Sequence, residues 1–274
     1  MPAIGLIMGS VDAARSGHWR DMGRTRSYMQ RLRRLEVPLS SGLISAANPS
    51  VRIHKYQNTK LVGENAPANT QAGALYTLYV HDASSSKPAV TGSPDLLIGA
   101  VHQGIGSADQ IVNVLQLVTH YGLSKQFKYF NPLPDQIGTS LQAYCESYIG
   151  LDCVGFILGF ARDVKKSAIG YAGSYGTATF KAYAAAPPAA ESVVVWDDGD
   201  MSHVALIDEA RALAGGATWI HVCESIGEGA PMKGLHEDEG SLTPDKSAPN
   251  HFFFDRKDLT IAKTRNRVMV VRLP

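Results

Sequence analysis

The chain is short of charge, of cysteine and of long apolar runs, and each shortage closes off a class of function. Charged residues make up 19% of its 274 positions, against about 25% in an ordinary soluble protein. Lys+Arg 26 against Asp+Glu 25 leaves a formal net charge of +1, so no overall field selects nucleic acid or an anionic surface as a partner. No stretch approaches the roughly 20 apolar residues of a membrane-spanning helix, and stable membrane insertion is not expected. Three cysteines, Cys145, Cys153 and Cys223, are too few and of the wrong parity for a disulfide framework. No CxxC pair occurs, which removes the common structural zinc arrangement. A single cysteine acting as a nucleophile stays open. The N-terminal MPAIGLIMGSVDAARSGHWR has a short apolar run with no basic residue ahead of it. It is a poor secretory signal, so the chain is expected to be made in the cytoplasm.

What is present describes a loop-rich globular protein: 45% hydrophobic residues with Gly 26 and Pro 14. At this length roughly three quarters of the unfolded surface can be buried. Charge is concentrated at the start, where residues 1–36 carry seven arginines (Arg15, Arg20, Arg24, Arg26, Arg31, Arg33, Arg34) against Asp12, Asp21 and Glu36. Within it Tyr28, Met29, Leu32 and Leu35 recur at helical spacing, so RSYMQRLRRLE reads as a short amphipathic helix with an arginine face. A contact with nucleic acid, lipid or a delivery partner is one reading of that face; a solvated helix docked by its apolar side is the better one. SVRIHKY and ALYTLYVHD (residues 74–82) have strand composition. Ser107 caps a helix with Ile111, Val114, Leu115 and Val118 on one face, and GIGS before it reads as a helix-entry turn, since no complete phosphate-loop motif follows. FNPLPDQIG (residues 130–138) is the best domain boundary, dividing an unassigned N-terminal α/β extension, residues 1–135, from a second domain, residues 136–274.

The second domain carries the chemistry. TSLQAYCESYIGLDCVGFILGFARDV is helical on both sides of a Gly-Leu-Asp-Cys break, and Cys153 opens a helix whose next turns are almost wholly apolar. A thiol in the first turn of a helix faces unpaired backbone N–H groups and the positive dipole end, which favour thiolate. Fifty residues on, SVVVWDDGDMSHVALIDE gives a β-rich run, a turn around Asp197–Asp200 and a strand entered at His203. After a Gly215-Gly216 turn, TWIHVCES places Trp219, His221 and Cys223 on one strand face. A thiol at a helix start, a first imidazole as base and acid, and His221 fixing that imidazole from behind follow the logic of a catalytic triad. HEDEG (residues 236–240), with His251 and Asp255 beyond it, reads as a solvated acidic loop, and no metal or cofactor is expected.

LDCVGF resembles the DCSGF/L signature of the NlpC-type papain-like cysteine peptidases, GDMSHVALI is similar to their GD…HVGIY block, and WIHVCESIG to their hydrophobic-I-H-A-S block. The resemblance covers about residues 138–230. It implies an α+β, papain-like fold with a nucleophile helix packed on an antiparallel sheet, and it assigns Cys153 as nucleophile, His203 as base and His221 as the orienting third member. The order Cys then His separates the chain from circularly permuted relatives that acylate lipid. The implied activity is hydrolysis of an amide in peptidoglycan, either in a stem peptide or between sugar and peptide. Without a recognised signal such an enzyme is exported or injected, released by lysis, or held in check by an inhibitory (immunity) or delivery partner. The alternatives are a papain-fold toxin or effector that deamidates or cleaves a host protein, and a non-catalytic binding module. Nucleic acid is not expected as a partner.

Overall fold

A computed structural model describes residues 23–39, 48–57, 66–90, 92–167, 177–197, 203–227, 234–257 and 265–274. The described residues form a helical layer packed on a closed, six-stranded antiparallel barrel, a mixed α+β architecture. The helices are α1 (Arg24–Leu32), α2 (Ala66–His81), α3 (Pro94–His102), α4 (Ala108–Leu123), α5 (Ile137–Tyr148), α6 (Cys153–Asp163) and α7 (Thr177–Lys181). A two-residue ladder joins β1 (Leu35–Glu36) to β2 (Ser50–Val51). The barrel comprises β3 (Ser192–Trp196), β4 (Val204–Ala212), β5 (Thr218–Ile226), β6 (Gly234–Pro244), β7 (His251–Arg256) and β8 (Arg265–Arg272), each paired with the next, and β3 closes it on β8 with Val194 opposite Val270.

Strand alternation gives this barrel two apolar faces. Val194, Trp196, Ala205, Ile207, Ile220, Val222, Phe254 and Val268 fill one cluster inside it. Val193, Val195, Val204, Leu206, Cys223 and Val271 point the other way and join a larger cluster with the helices, which runs from Tyr28 to Leu273 and takes in residues on both sides of position 135. α6, apolar throughout its first nine residues, lies between the other helices and the outer wall of β4 and β5.

Several sequence expectations meet their elements. α4 starts at Ser107 with a full capping box, in which Gln110 N–H donates to Ser107 Oγ at 3.4 Å and Ser107 N–H donates to Gln110 Oε1 at 2.9 Å. Cys153 is the first residue of α6. The Gly215-Gly216 turn uses positive φ at both glycines (75° and 81°), as the β4–β5 connection requires. The turn expected around Asp197–Asp200 falls mostly outside the described residues.

Three expectations are corrected. ALYTLYVHD is the second half of α2, not a strand; Leu75 is buried and Tyr76, Leu78 and Tyr79 pack half-buried on the main core, and tertiary packing overrides that propensity. SVRIHKY contributes the two-residue β2 and an isolated bridge at Tyr56, not a continuous strand. HEDEG lies in β6, not in a solvated loop. Its alternation sends His236 and Asp238 inward, to 8% and 6% exposure, and Glu237 and Glu239 outward.

The arginine face of α1 is turned to the protein's own acids. Arg24 pairs with Glu191 at 2.8 Å, Arg26 with Asp208 at 3.2 Å, Arg33 with Glu237 at 2.6 Å, and Arg31 with Asp109. Beneath, Tyr28, Met29 and Leu32 are buried in the main core, so the helix docks by its apolar side and its charges clamp it to barrel and helices.

The start of α6 is set by close backbone contacts. Leu151 N–H donates to Lys55 O at 3.0 Å, Leu151 O accepts from Gln57 N–H at 3.3 Å and from Ser225 Oγ at 2.6 Å, and Asp152 N–H donates to Gly104 O at 3.0 Å. Gly155 then passes so close to the Gly104–Ile105 backbone that a Cβ there would lie 1.9 Å from Gly104 O. Gly155→Ala is therefore expected to destabilise the protein by about 3 kcal/mol or more. By contrast Gly99→Ala, within α3 where a Cβ would meet nothing inside 4 Å, should stabilise by about 0.5–1 kcal/mol. Urea unfolding midpoints of the two variants check the pair; equal shifts would mean that the approach of α6 to the 104–105 backbone is not fixed.

Candidate active site

Cys153 sits where three elements meet: the first turn of α6, the entry to β4 and the far half of β5. Asp152 caps the helix, its carboxylate accepting the Gly155 N–H. The next in-helix bond runs from Phe156 N–H to Asp152 O, so the N–H groups of Cys153 and Val154 remain at the open helix end. The thiol is 6% exposed.

His203 is the residue immediately before β4. Its imidazole lies beside Cys153, whose hydrogen bonding and charge act on it, and its Nε2 lies 2.7 Å from Glu224 Oε2. With Nε2 engaged by the carboxylate, Nδ1 is the ring nitrogen left for the sulfur. Trp196 packs edge-on against the imidazole, ring centroids 4.7 Å apart, and holds its plane.

Glu224 is fully buried and does not stand alone. Its Oε1 accepts from Arg256 Nη2, and Arg256 Nε donates to Asp238 Oδ2 at 2.5 Å. Arg256 also lies over the rings of Trp196 and Phe254, 5.5 Å and 5.7 Å from their centroids. Two carboxylates, one guanidinium and one imidazolium make a chain without net charge, the condition under which ions persist away from water.

The titration of the chain's members follows from these contacts. Burial pushes the His203 imidazole down, but hydrogen bonds and charge from Cys153 and Glu224 outweigh it and carry the group up to about 9. For Glu224 burial pushes upward, and Arg256 with His203 overcomes it, bringing the carboxyl to about 2. The other two thiols have no such partner. Burial pushes Cys145 up to about 12, and Cys223 well above the ordinary thiol range.

His221 does not orient His203. It stands on β5, but three residues from Glu224, and an odd separation on a strand places the two side chains on opposite faces. Ile220, Val222 and Glu224 face the barrel interior, while His221 and Cys223 face outward. There His221 Nδ1 is 3.7 Å from Asp208 and Nε2 3.5 Å from Glu237, under Arg26 of α1. Burial, then the Arg26 charge, hold its ring below the ordinary histidine value. The structure thus brings Cys153 and His203 together, leaves His221 outside the constellation and supplies Glu224 in its stead. The signal for Glu224 lies in TWIHVCESI itself: a carboxylate in phase with Ile220 and Val222 must enter an apolar interior, and a buried charge needs a partner.

Glu224, His236 and Asp238 offer ligand atoms within 4.8 Å of one another, a spacing that would suit a cation. Both carboxylates are already engaged by Arg256, whose charge occupies that role. His251 and Asp255, on β7, turn to other partners, Asp197 at 3.1 Å and Arg265 at 3.5 Å.

Two measurable consequences follow. In the native protein iodoacetamide should modify Cys153 and spare the more deeply buried Cys145 and Cys223, which peptide mapping by mass spectrometry would read; labelling of Cys145 or Cys223 ahead of Cys153 contradicts the assignment. Second, a histidine raised from 6.5 to about 9 on folding contributes stability that is fully present below pH 6.5 and lost as pH rises through 9. The lowered Glu224 adds stability present above 4.5 and lost as pH falls through 2. The difference in unfolding free energy between wild type and His203→Gln should therefore be greatest between pH 4.5 and 6.5 and shrink toward pH 9. A difference that grows with pH would reverse the sign of the His203 shift.

Compared with protein-family models, with curated proteins and with solved structures, the chain matches none.

Proposed function

We propose that the protein is a cysteine-dependent amide hydrolase in which Cys153 is the nucleophile, His203 the acid and base, and Glu224 the carboxylate that orients and charges His203. The observation that carries this reading is the continuous chain from a helix-start thiol through a buried imidazole to a buried, ionised carboxylate. Each link is what acyl transfer to sulfur needs. The Cys153 thiolate adds to the amide carbon, and the developing oxyanion is met by the N–H groups of Cys153 and Val154 at the start of α6. His203 gives its proton to the leaving amine as the C–N bond breaks. A water molecule, losing a proton to His203, then adds to the thioester, which collapses to carboxylate and free thiol.

The proposed substrate is peptidoglycan, at a stem-peptide bond or the sugar–peptide amide, and the proposed domain fold is papain-like of NlpC type. Support for both is the order and spacing of LDCVGF, HVALI and WIHVCES, together with α6 packed on an antiparallel barrel.

Incubation with purified peptidoglycan and, separately, with cytosolic extract, each analysed by mass spectrometry, tests the reading. New amine and carboxylate ends in the wall fragments are expected. Cleavage or deamidation confined to cytosolic proteins would favour a toxin, and no product from either, with Cys153 still reactive, a binding module. Among variants, Cys153→Ala should abolish turnover and His203→Ala should lower it at least about a hundredfold. Glu224→Gln keeps a hydrogen-bond acceptor without the charge and should cost about ten- to a hundredfold, whereas His221→Ala should stay within about twofold of wild type. A larger loss in His221→Ala than in Glu224→Gln would restore His221 as the third member.

A further inference from the structure

The Cys153–His203–Glu224 chain does not end at its third member. Glu224 presents one oxygen to His203 and the other to Arg256, and Arg256 is in turn anchored by Asp238. The Arg256 and Asp238 side chains are each 3% exposed and that of Glu224 is 0% exposed. Four barrel elements contribute: the entry of β4, then β5, β6 and β7. A surface arginine would be worth little to a distant thiol. One buried in a closed barrel, in contact with the carboxylate that faces the imidazole, acts at short range and without screening.

We propose that Arg256, held by Asp238, is a positioning residue that keeps Glu224 ionised and aimed at His203, and thereby sets the pH range over which Cys153 exists as the thiolate of an ion pair. The inference deepens the reading of Cys153 as nucleophile and rests on it. Among the described residues, the charged and titratable groups facing His203 are Cys153 from α6, Glu224 from β5 and, behind it, Arg256 from β7 with Asp238 and His236 from β6; Trp196 of β3 packs against the ring.

Without the guanidinium, the buried carboxylates would outnumber the cations, and the cluster would take up a proton at higher pH. Placed on Glu224, that proton removes the anion that stabilises imidazolium. The proton shared between Cys153 and His203 then returns to sulfur, so the thiolate is lost at a pH where the wild type retains it. The residue therefore acts on the thiol through Glu224 rather than by touching it.

The test is the pH dependence of Cys153 alkylation by iodoacetamide in the full-length protein, with native folding of each variant checked by circular dichroism. Arg256→Met should move the acid limb of the profile upward by at least about one pH unit, an approximately tenfold lower rate at a given pH on that limb. Arg256→Lys, which keeps the charge but cannot bridge two carboxylates as a planar fork, should recover most of that shift. In a Glu224→Gln background the same Arg256→Met change should move the limb no further, because the route through the carboxylate is already cut.

Where Arg256→Met alone does not fold, the double variant serves, since removing both members of a buried ion pair is far better tolerated than removing one. Its limb should then coincide with that of Glu224→Gln. A folded Arg256→Met with an unmoved limb, or shifts of Arg256→Met and Glu224→Gln that simply add, would overturn the proposal and leave Arg256 a structural ion. Alkylation needs no substrate. Failure to cut peptidoglycan with the shift present would thus count against the substrate, and absence of the shift in an active enzyme would count against Arg256.

Discussion

A carboxylate buried inside a closed barrel is the constraint from which the rest of the site follows. Glu224 has no solvent on any side, and an isolated ion there would either take up a proton or unfold its surroundings. Arg256 on one oxygen and His203 on the other prevent both, and Asp238 completes the count so that the cluster carries no net charge. The imidazole is thereby held protonated far above its ordinary range. It faces Cys153 already carrying a positive charge. The barrel wall provides the low dielectric around these groups.

The helical layer places the other half of the pair. α6 presents Cys153 because the residues before it are gripped by Lys55–Gln57, by Gly104 and by Ser225 of β5, so this helix is tied to both layers just where it begins. Absence of a side chain at Gly155 lets the helix sit flush on the 104–105 backbone. α1 works from the opposite end of the same wall. Its arginines, which by sequence might suit an external polyanion, are taken up by Glu191, Asp208, Asp109 and Glu237. His221 belongs to that outer electrostatic seam, a structural contact between barrel and helix on the far side of β5 from the thiol.

Much of this was legible in the residues. The Ser107 cap, the opening of α6 at Cys153, the entry of His203 into a buried strand and the period-2 face shared by Trp219, His221 and Cys223 are local patterns, each decided within a few residues. The errors share a cause. ALYTLYVHD has strand-like composition, and only its helical neighbours make it a helix. HEDEG looked solvated because its charge count outweighed its alternation. Strand alternation and the family resemblance point to His221, but the apolar phase of Ile220 and Val222 carries Glu224, not His221, into the barrel.

The sequence by itself determined that Cys153 opens a helix and that His203 enters a strand, because capping, apolar periodicity and alternation are set by neighbours along the chain. Only the tertiary structure decided what stands behind that imidazole. Barrel closure brings β5, β6 and β7 round a common interior, and it alone makes Glu224, Asp238 and Arg256 neighbours although up to 32 positions separate them in the chain. Interactions between buried charges depend on distance and dielectric, not on sequence separation, so a pattern read along one strand at a time could show each ion but not the balance among them.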